Sequence, residues 1–329
     1  MSNDQPAIRL GLIGAGAWGR VIIRTINEMT GVELVRVGSS NPLTPSLVGP
    51  GCAVLSDWTE VLNPNDIHGV IIATPPARHF DMVREAMAAN IPVMVEKPLT
   101  LSVRDAVSLR QVATVSQGLV MVDHTHLGHP AFRAIKEFSG AVGPIRAIRA
   151  HAGNRGPFRS DVSVLWDWGP HDLAMCIDLL DSGIEYASAI VTERRETPEG
   201  VGETVDLRLD FSDDVDARIV LSNLLPEKRR VFAVHFDRLV MVYNPLRPQA
   251  LTIHPPTDHF AFPEDDGQPI ELPEEQPLAN AIMTFAMAIA GEVNDLGSLN
   301  LGVDVVAALA RCQASLDERA AADKQGKTS

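Results

Sequence analysis

Two rhythms of apolar positions run along the chain. Up to about residue 123, short continuous apolar runs at residues 9–13, 32–37, 70–74, 92–96 and 118–122 alternate with segments of helical period at 20–29, 80–89 and 102–116. A run such as Val70-Ile71-Ile72-Ala73-Thr74, closed by Pro75-Pro76, has no polar face, as expected of a strand buried on both sides of a parallel sheet. Strand and helix in strict alternation predict a doubly wound α/β sheet over residues 1–123.

Beyond about residue 185 the apolar positions recur every second residue, at 188–194, 204–211, 216–222, 230–236, 239–243 and 250–254. Turn residues Ser212-Asp213-Asp214 separate two of these segments, and the short spacings predict an antiparallel meander rather than crossovers. Helical period returns at 277–293 and 303–321. Residues 256–277, rich in Pro, Asp and Glu, predict a surface excursion, and 324–329 a polar tail. Residues 124–329 are therefore expected to form an α+β domain with a large, mostly antiparallel open-faced sheet. Such a sheet needs a cover on both faces, and another subunit is one candidate for it.

A length of 329 residues fits two domains better than one. The net charge of −14 argues against nucleic acid and anionic membranes as partners. Cys52, Cys176 and Cys312 stand far apart with no Cys-x-x-Cys spacing, which points to neither a disulfide framework nor a thiolate metal site. No apolar run has the length of a membrane span and the N-terminus has no signal-like apolar core, so the expected location is cytoplasmic.

The first apolar run leads straight into Gly14-Ala15-Gly16-Ala17-Trp18-Gly19. In a strand–turn–helix context, Gly14 permits the tight turn, Gly16 lets a pyrophosphate approach the backbone, and Gly19 allows close helix packing, with Ala17 and Trp18 in the same loop. The segment therefore predicts a dinucleotide site. Glu96-Lys97-Pro98 falls where another parallel strand ends, on the same side of the sheet. There Lys97 could hold a substrate hydroxyl and stabilise a developing alkoxide, its direction fixed by a cis X-Pro bond, or could be an ordinary exposed strand-end lysine.

Asp161-Val162-Ser163-Val164-Leu165-Trp166-Asp167-Trp168-Gly169-Pro170-His171-Asp172 surrounds a helix start. Asp167 and His171, four apart, would share a helix face and suit a carboxylate-oriented general base. Pro170 in a first helical turn would instead make Asp167 an N-cap and His171 a surface residue. At this level both readings stand. Asp123-His124-Thr125-His126-Leu127-Gly128-His129 has the look of a metal cluster, but it lacks an obvious fourth ligand, and extended backbone would send His124 and His126 to opposite sides. No metal is expected, and His124 is taken as lining a substrate site.

The Gly14–Gly19 turn, Ala73-Thr74-Pro75-Pro76-Ala77-Arg78-His79, Glu96-Lys97-Pro98 and Asp167-x-Gly169-x-His171, in this order and spacing, resemble the Gfo/Idh/MocA oxidoreductases over nearly the whole chain. The resemblance implies a Rossmann domain and a C-terminal sheet that commonly forms a homodimer or homotetramer interface. It implies Lys97 as the substrate-hydroxyl ligand, His171 as acid/base and Asp167 as its partner, with Thr74, Pro75, His79 and Glu96 on the nicotinamide side of the cofactor. The wording around Asn154-Arg155-Gly156 and Asp161–Asp172 is similar to the branch acting in nucleotide-sugar and polysaccharide metabolism, with Arg155 and Asp172 as candidate substrate contacts.

Two positions depart from the family pattern. Ala174 stands where an Asp is often found three residues after the motif histidine, which leaves Asp172 as a candidate replacement. After the second strand, Gly38-Ser39-Ser40-Asn41 replaces the acidic residue that holds the ribose of NAD, so NAD(P) is expected with a lean to NADP. The expected activity is hydride transfer between a nicotinamide and a secondary alcohol of a sugar, polyol or sugar nucleotide. The alternatives are a glycosidase or lyase with transient redox and a nucleotide-sensing regulator without catalysis.

Overall fold

The computed structural model describes residues 6–291 and 296–326. Its contacts divide the chain into two compact units, Met1–Gly128 with Glu275–Val306, and His129–Glu274 with Ala307–Ser329. The elements before Gly128 are β1 (Ile8–Ile13), α1 (Ala17–Glu28), β2 (Val32–Gly38), β3 (Ala53–Leu55), β4 (Gly69–Ile72), α2 (His79–Ala88), β5 (Val93–Glu96), α3 (Val103–Ser116) and β6 (Val120–Asp123). Then come α4 (Pro130–Val142), β7 (Ile145–Arg155), α5 (Val164–Leu180), β8 (Ile184–Thr197), β9 (Gly200–Phe211), β10 (Asp216–Ser222), β11 (Leu224–Phe236), β12 (Val240–Tyr243), β13 (Leu251–His254), β14 (Gln268–Pro269), α6 (Pro277–Ile289) and α7 (Leu296–Gly326).

In the first unit six parallel strands lie in the order β3-β2-β1-β4-β5-β6, so the chain reverses its direction of sheet growth between β1 and β4. That reversal is the switch point at which open α/β sheets bind ligands. Leu10, Leu12, Ile71 and Met94 face one side, where Ile22, Ile23 and Ile26 of α1 pack on them together with Leu278, Ile282 and Phe285 of α6. Ile72, Val93 and Val95 alternate with these along the same strands and point the other way, and α2 lies against β4 and β5. The edge strand β3, only three residues long and half exposed, has too short a run to show a period.

The second unit has an eight-stranded sheet, β14-β13-β12-β11-β7-β10-β9-β8. It is mostly antiparallel, but it is not the simple meander expected. β7 lies between β10 and β11 and runs parallel to β10. Its buried positions include Ala147, Ala150 and Ala152, and alanine carries little strand signal, which hid this strand in the sequence. Helix α5 covers β7, β9 and β10, while Ser315 of α7 exchanges hydrogen bonds with the Ala189 backbone of β8 at 3.2–3.4 Å.

Helix α5 starts at Val164, which puts Pro170 in the helix interior and Asp167 in the first turn rather than at the cap. Pro170 has no N–H for the Trp166 carbonyl. Packing outweighs that loss, since Leu165, Gly169 and Pro170 are all buried and a Cβ on Gly169 would sit 3.1 Å from Leu309. Helix α7 runs to Gly326, so residues 324–326 are helix and not tail. Residues 292–293 of the expected α6 region and 327–329 of the expected tail lie outside the described residues.

Phe285 is fully buried in the core of the first unit. Phe285→Ala should destabilise it by about 3–5 kcal/mol, measured by denaturant unfolding, and a loss below about 1 kcal/mol would show that α6 is dispensable to that core.

Candidate active site

The turn between β1 and α1 has no room for side chains at two of its glycines. Gly14 has φ +100°, and a Cβ there would meet the Ala73 carbonyl oxygen at 2.6 Å; a Cβ on Gly19 would meet the Gly14 carbonyl oxygen at 2.0 Å. Around Gly16 there is no heavy atom within 4 Å of a Cβ position, and as N-cap of α1 it provides no side-chain cap. The first amides of α1 thus face open space beside a bare backbone, a cradle that fits the pyrophosphate of a dinucleotide. Ala17 and Trp18 are exposed in the first turn of α1.

After β2, the Thr44 hydroxyl donates to Ser39 Oγ at 2.8 Å and the Asn41 N–H to the same oxygen at 3.1 Å. Asn41 Oδ1 accepts from the Leu43 N–H at 3.0 Å. Ser39 and Asn41 therefore order the turn, and Ser40 is exposed. Arg36, at the end of β2, is turned to the Glu60 carbonyl and the Asp66 carboxylate.

The ends of β4, β5 and β6 collect the next group. His79 is fully buried, with Nδ1 2.9 Å from the Pro98 carbonyl and Nε2 2.9 Å from the Thr74 carbonyl. It lies between the Thr74-Pro75 loop and the Lys97-Pro98 loop, whose connecting peptide is cis; burial lowers its pKa, and the neutral ring donates to one of the two carbonyls. From that place the ring offers no surface to a ligand, and it acts through the loops it joins.

Parallel register sets Glu96 directly opposite Asp123. The Trp18 indole N–H donates to Glu96, and the Thr125 hydroxyl donates to Asp123 Oδ1 at 3.0 Å. Burial first, and the neighbouring Asp123 charge second, push the Glu96 carboxyl well above its usual range; burial also raises Asp123. Both carboxyls are thus drawn toward the protonated form, Glu96 more strongly than Asp123. His124 is buried too, and burial together with the Lys97 cation lowers its pKa to about 3. It stays neutral at any ordinary pH, and neither ring nitrogen has a hydrogen-bond partner among the described residues. The backbone after Asp123 turns through a short 3-10 segment at Thr125–Gly128, so the extended geometry expected for His124 and His126 is absent. Among the described residues no three His, Cys, Asp or Glu side chains are placed to hold a metal.

The second unit carries the other candidates. Asp167 and His171 both lie in α5, one turn apart. Arg159 grips Asp161 with both arms of its fork, at 2.9 and 2.7 Å, and reaches Asp167 Oδ1 with Nη1 at 3.3 Å. Asp172 is only 1% exposed and faces the equally buried Arg230 at 3.4 Å; burial raises its pKa and the guanidinium opposes the rise. Arg155, the last residue of β7, is exposed. Asp123 and Arg230 were missed in the sequence as site residues, and Arg159 was noted there only as part of the wording before α5. The β5/β6 register could have suggested Asp123, whereas Arg230 meets Asp172 only through the fold.

Two family models match the chain: "Oxidoreductase family, NAD-binding Rossmann fold" over residues 8–124 and "GFO/IDH/MocA C-terminal domain" over residues 132–241. A protein of Magnetospirillum magnetotacticum MS-1, described only as an oxidoreductase, has a crystal structure that superposes with a TM-score of 0.89. It is 40% identical, and the match covers 93% of this chain and 100% of that one. Inositol 2-dehydrogenase 4 of Saccharopolyspora erythraea is 33% identical over 47% of each chain. The dTDP-3,4-didehydro-2,6-dideoxy-alpha-D-glucose 3-reductase of Streptomyces violaceoruber is 29% identical over 46% of each. The chain spans about half the length of these curated relatives.

The raised Glu96 pKa has a consequence for stability. With Glu96 raised above its ordinary 4.5, the stability it contributes is complete below that pH and is lost as pH rises through the raised value. Glu96→Gln cannot ionise. Thermal unfolding of the ligand-free protein between pH 5 and 9 should show the wild type falling behind this variant as pH rises, by about 2–4 °C for each kcal/mol. Parallel curves would mean that the fold does not raise the Glu96 carboxyl.

Proposed function

The chain belongs to the GFO/IDH/MocA oxidoreductase family, and from that premise we propose that it interconverts a secondary alcohol and a ketone on a sugar, polyol or sugar nucleotide. The observation that carries the proposal is the uncapped glycine turn after one parallel strand, with Lys97 following the end of another strand of the same sheet. An inositol dehydrogenase and a sugar-nucleotide reductase among the relatives support the substrate class.

Gly14, Gly16, Ala17 and Gly19 would hold the pyrophosphate of NAD(P), Ser39, Ser40 and Asn41 its adenosine ribose, and Trp18, Thr74, Pro75 and Glu96 the nicotinamide half. When bound, NAD(P) supplies the hydride acceptor or donor. Lys97 donates from Nζ to the carbinol oxygen and stabilises negative charge there. His171 takes the hydroxyl proton in oxidation and returns it in reduction, and Asp167 orients the imidazole and favours its charged form. His124, neutral beside Lys97, does no proton transfer. Arg155 is kept as a substrate contact. Asp172 is not, because its carboxylate is committed to Arg230.

A homodimer or homotetramer through the second sheet stays part of the proposal. On its outward face Arg149, Arg218 and Arg208 stand in one row across β7, β10 and β9, and they are paired within the sheet, Arg149 and Arg218 with Asp216 and Arg208 with Asp210.

Lys97→Ala and His171→Ala should each lower turnover by about 10²–10⁴ while leaving the dissociation constant of the dinucleotide within about threefold, in steady-state assays with inositols, free sugars and UDP-sugars. Near-normal turnover in both would reject these roles. The Ser39–Asn41 turn has no carboxylate to repel a 2′-phosphate, and Arg36 is engaged elsewhere. Calorimetry should therefore find NADPH bound more tightly than NADH by less than about tenfold, and a hundredfold preference for NADH would reverse the assignment.

A further inference from the structure

The ends of β5 and β6 bring an acidic pair to the edge of the dinucleotide cradle. Glu96 closes β5 and Asp123 closes β6, opposite each other in the parallel register. Trp18, in the first turn of α1 and two residues beyond the bare Gly16, donates its indole N–H to Glu96. That bond fastens the carboxyl to the helix whose first amides line the cradle. Glu96 is half-buried, whereas Asp123 is only 3% exposed. The Thr125 hydroxyl satisfies Asp123 Oδ1 at 3.0 Å, but the buried Oδ2 has no hydrogen-bond partner among the described residues.

Two carboxyls so placed do not ionise as freely as two in water. The titratable groups around them are Lys97, His79 and His124. Burial leads in lowering the pKa of both imidazoles and Lys97 adds to it, so the positive charge here comes from Lys97. It is not enough to ionise the pair. Burial and the charge of Asp123 still hold Glu96 well above its usual range against the pull of Lys97. A second cation beside Glu96 would tip the balance, and a nicotinamide ring is one in a single redox state. The oxidised ring is a cation, the reduced ring is neutral, and the rest of the two dinucleotides is the same. In a site partly removed from water, that difference of one charge counts for far more than it does in solution.

We propose that Glu96, with Asp123 beside it, is a proton-linked gauge of the cofactor's redox state: the pair gives up one proton to solvent when the oxidised, cationic ring binds and keeps it beside the reduced, neutral ring. The inference rests on the oxidoreductase reading for the place of the cofactor, with Glu96 on its nicotinamide side. Asp123 is a positioning residue here, since its charge acts through Glu96 and keeps the proton in place until the ring arrives. The sign follows from linkage. A ligand that favours the ionised pair binds more tightly as pH rises, by up to about tenfold per pH unit, until the free pair ionises on its own; a ligand indifferent to the pair shows no such slope.

Titration calorimetry of the substrate-free protein with NADP⁺ and with NADPH, between about pH 6.5 and 8.5 and in buffers of different ionisation enthalpy, reads both affinity and protons released. The 2′-phosphate is common to both ligands and cancels in their ratio. The dissociation constant of NADP⁺ relative to that of NADPH should fall by about tenfold or more over this range, with about 0.5–1 more proton released on binding NADP⁺. Glu96→Gln should hold the ratio constant to within about twofold and abolish the difference in protons, and Asp123→Asn should move the transition to lower pH. A flat ratio with equal proton release in the wild type overturns the proposal, as does a slope that survives Glu96→Gln or a transition that Asp123→Asn does not move. Should the variants fail to fold, the wild-type ratio and proton count decide alone. Turnover of the sugar panel separates the two readings. A flat ratio in a protein that oxidises a sugar removes the gauge and leaves the oxidoreductase; a sloping ratio without turnover leaves the gauge and removes the redox role. Binding of neither dinucleotide removes both.

Discussion

A parallel sheet has to be covered on both faces, and the first unit follows from that requirement. Helices α2 and α3 pack on each other and α2 on β4 and β5, while α1 covers part of the other face. Its remainder is closed only when residues 277–289 return as α6 and bring Leu278, Ile282 and Phe285 onto Leu10, Ile71 and Met94. With the faces sealed, polar groups are left to the strand ends. Register does the rest: Ile72 lies opposite Val95 and Glu96 opposite Asp123, so the apolar runs of neighbouring strands stop at the same level. The strand-end residues proposed for chemistry are thus placed by the same pairing that builds the core.

Burial at those ends limits which charges survive. Glu96 and Asp123 stand opposite each other in the register, and burial raises the pKa of both. His124, in the same surroundings, stays uncharged. Lys97 follows Glu96 directly, and its charge is among the causes that lower the pKa of His124 and oppose the rise of Glu96 and Asp123.

Much of this was legible in the residues. The continuous apolar runs gave five of the six parallel strands, and the glycine spacing located the dinucleotide cradle, because both signals are local. Residues 277–289 read as a helix, but nothing local says that they cover a sheet formed some two hundred residues earlier. The long-range central strand β7 was hidden by its alanines, and with it the crossover that breaks the meander. Pro170 misled in a different way. Helix propensity counts its missing N–H, whereas the burial of Leu165 and Gly169 around it decides the outcome. Buried partners such as Arg230 are outside any sequence window.

The helix that carries His171 also sets the aspartate beside it apart from the one a turn earlier. At about 100° per residue, Asp167 and His171 differ by about 40° around α5, whereas Asp172 is rotated by about 140° from Asp167. One face of the helix therefore presents Asp167 to the solvated Arg159 fork, and another sinks Asp172 against Arg230. An ion pair buried so deeply is costly to break, since removing either partner strands the other charge, typically at about 3–5 kcal/mol. Asp172 is thereby fixed to the fold, while Asp167 is held by a guanidinium that water still reaches.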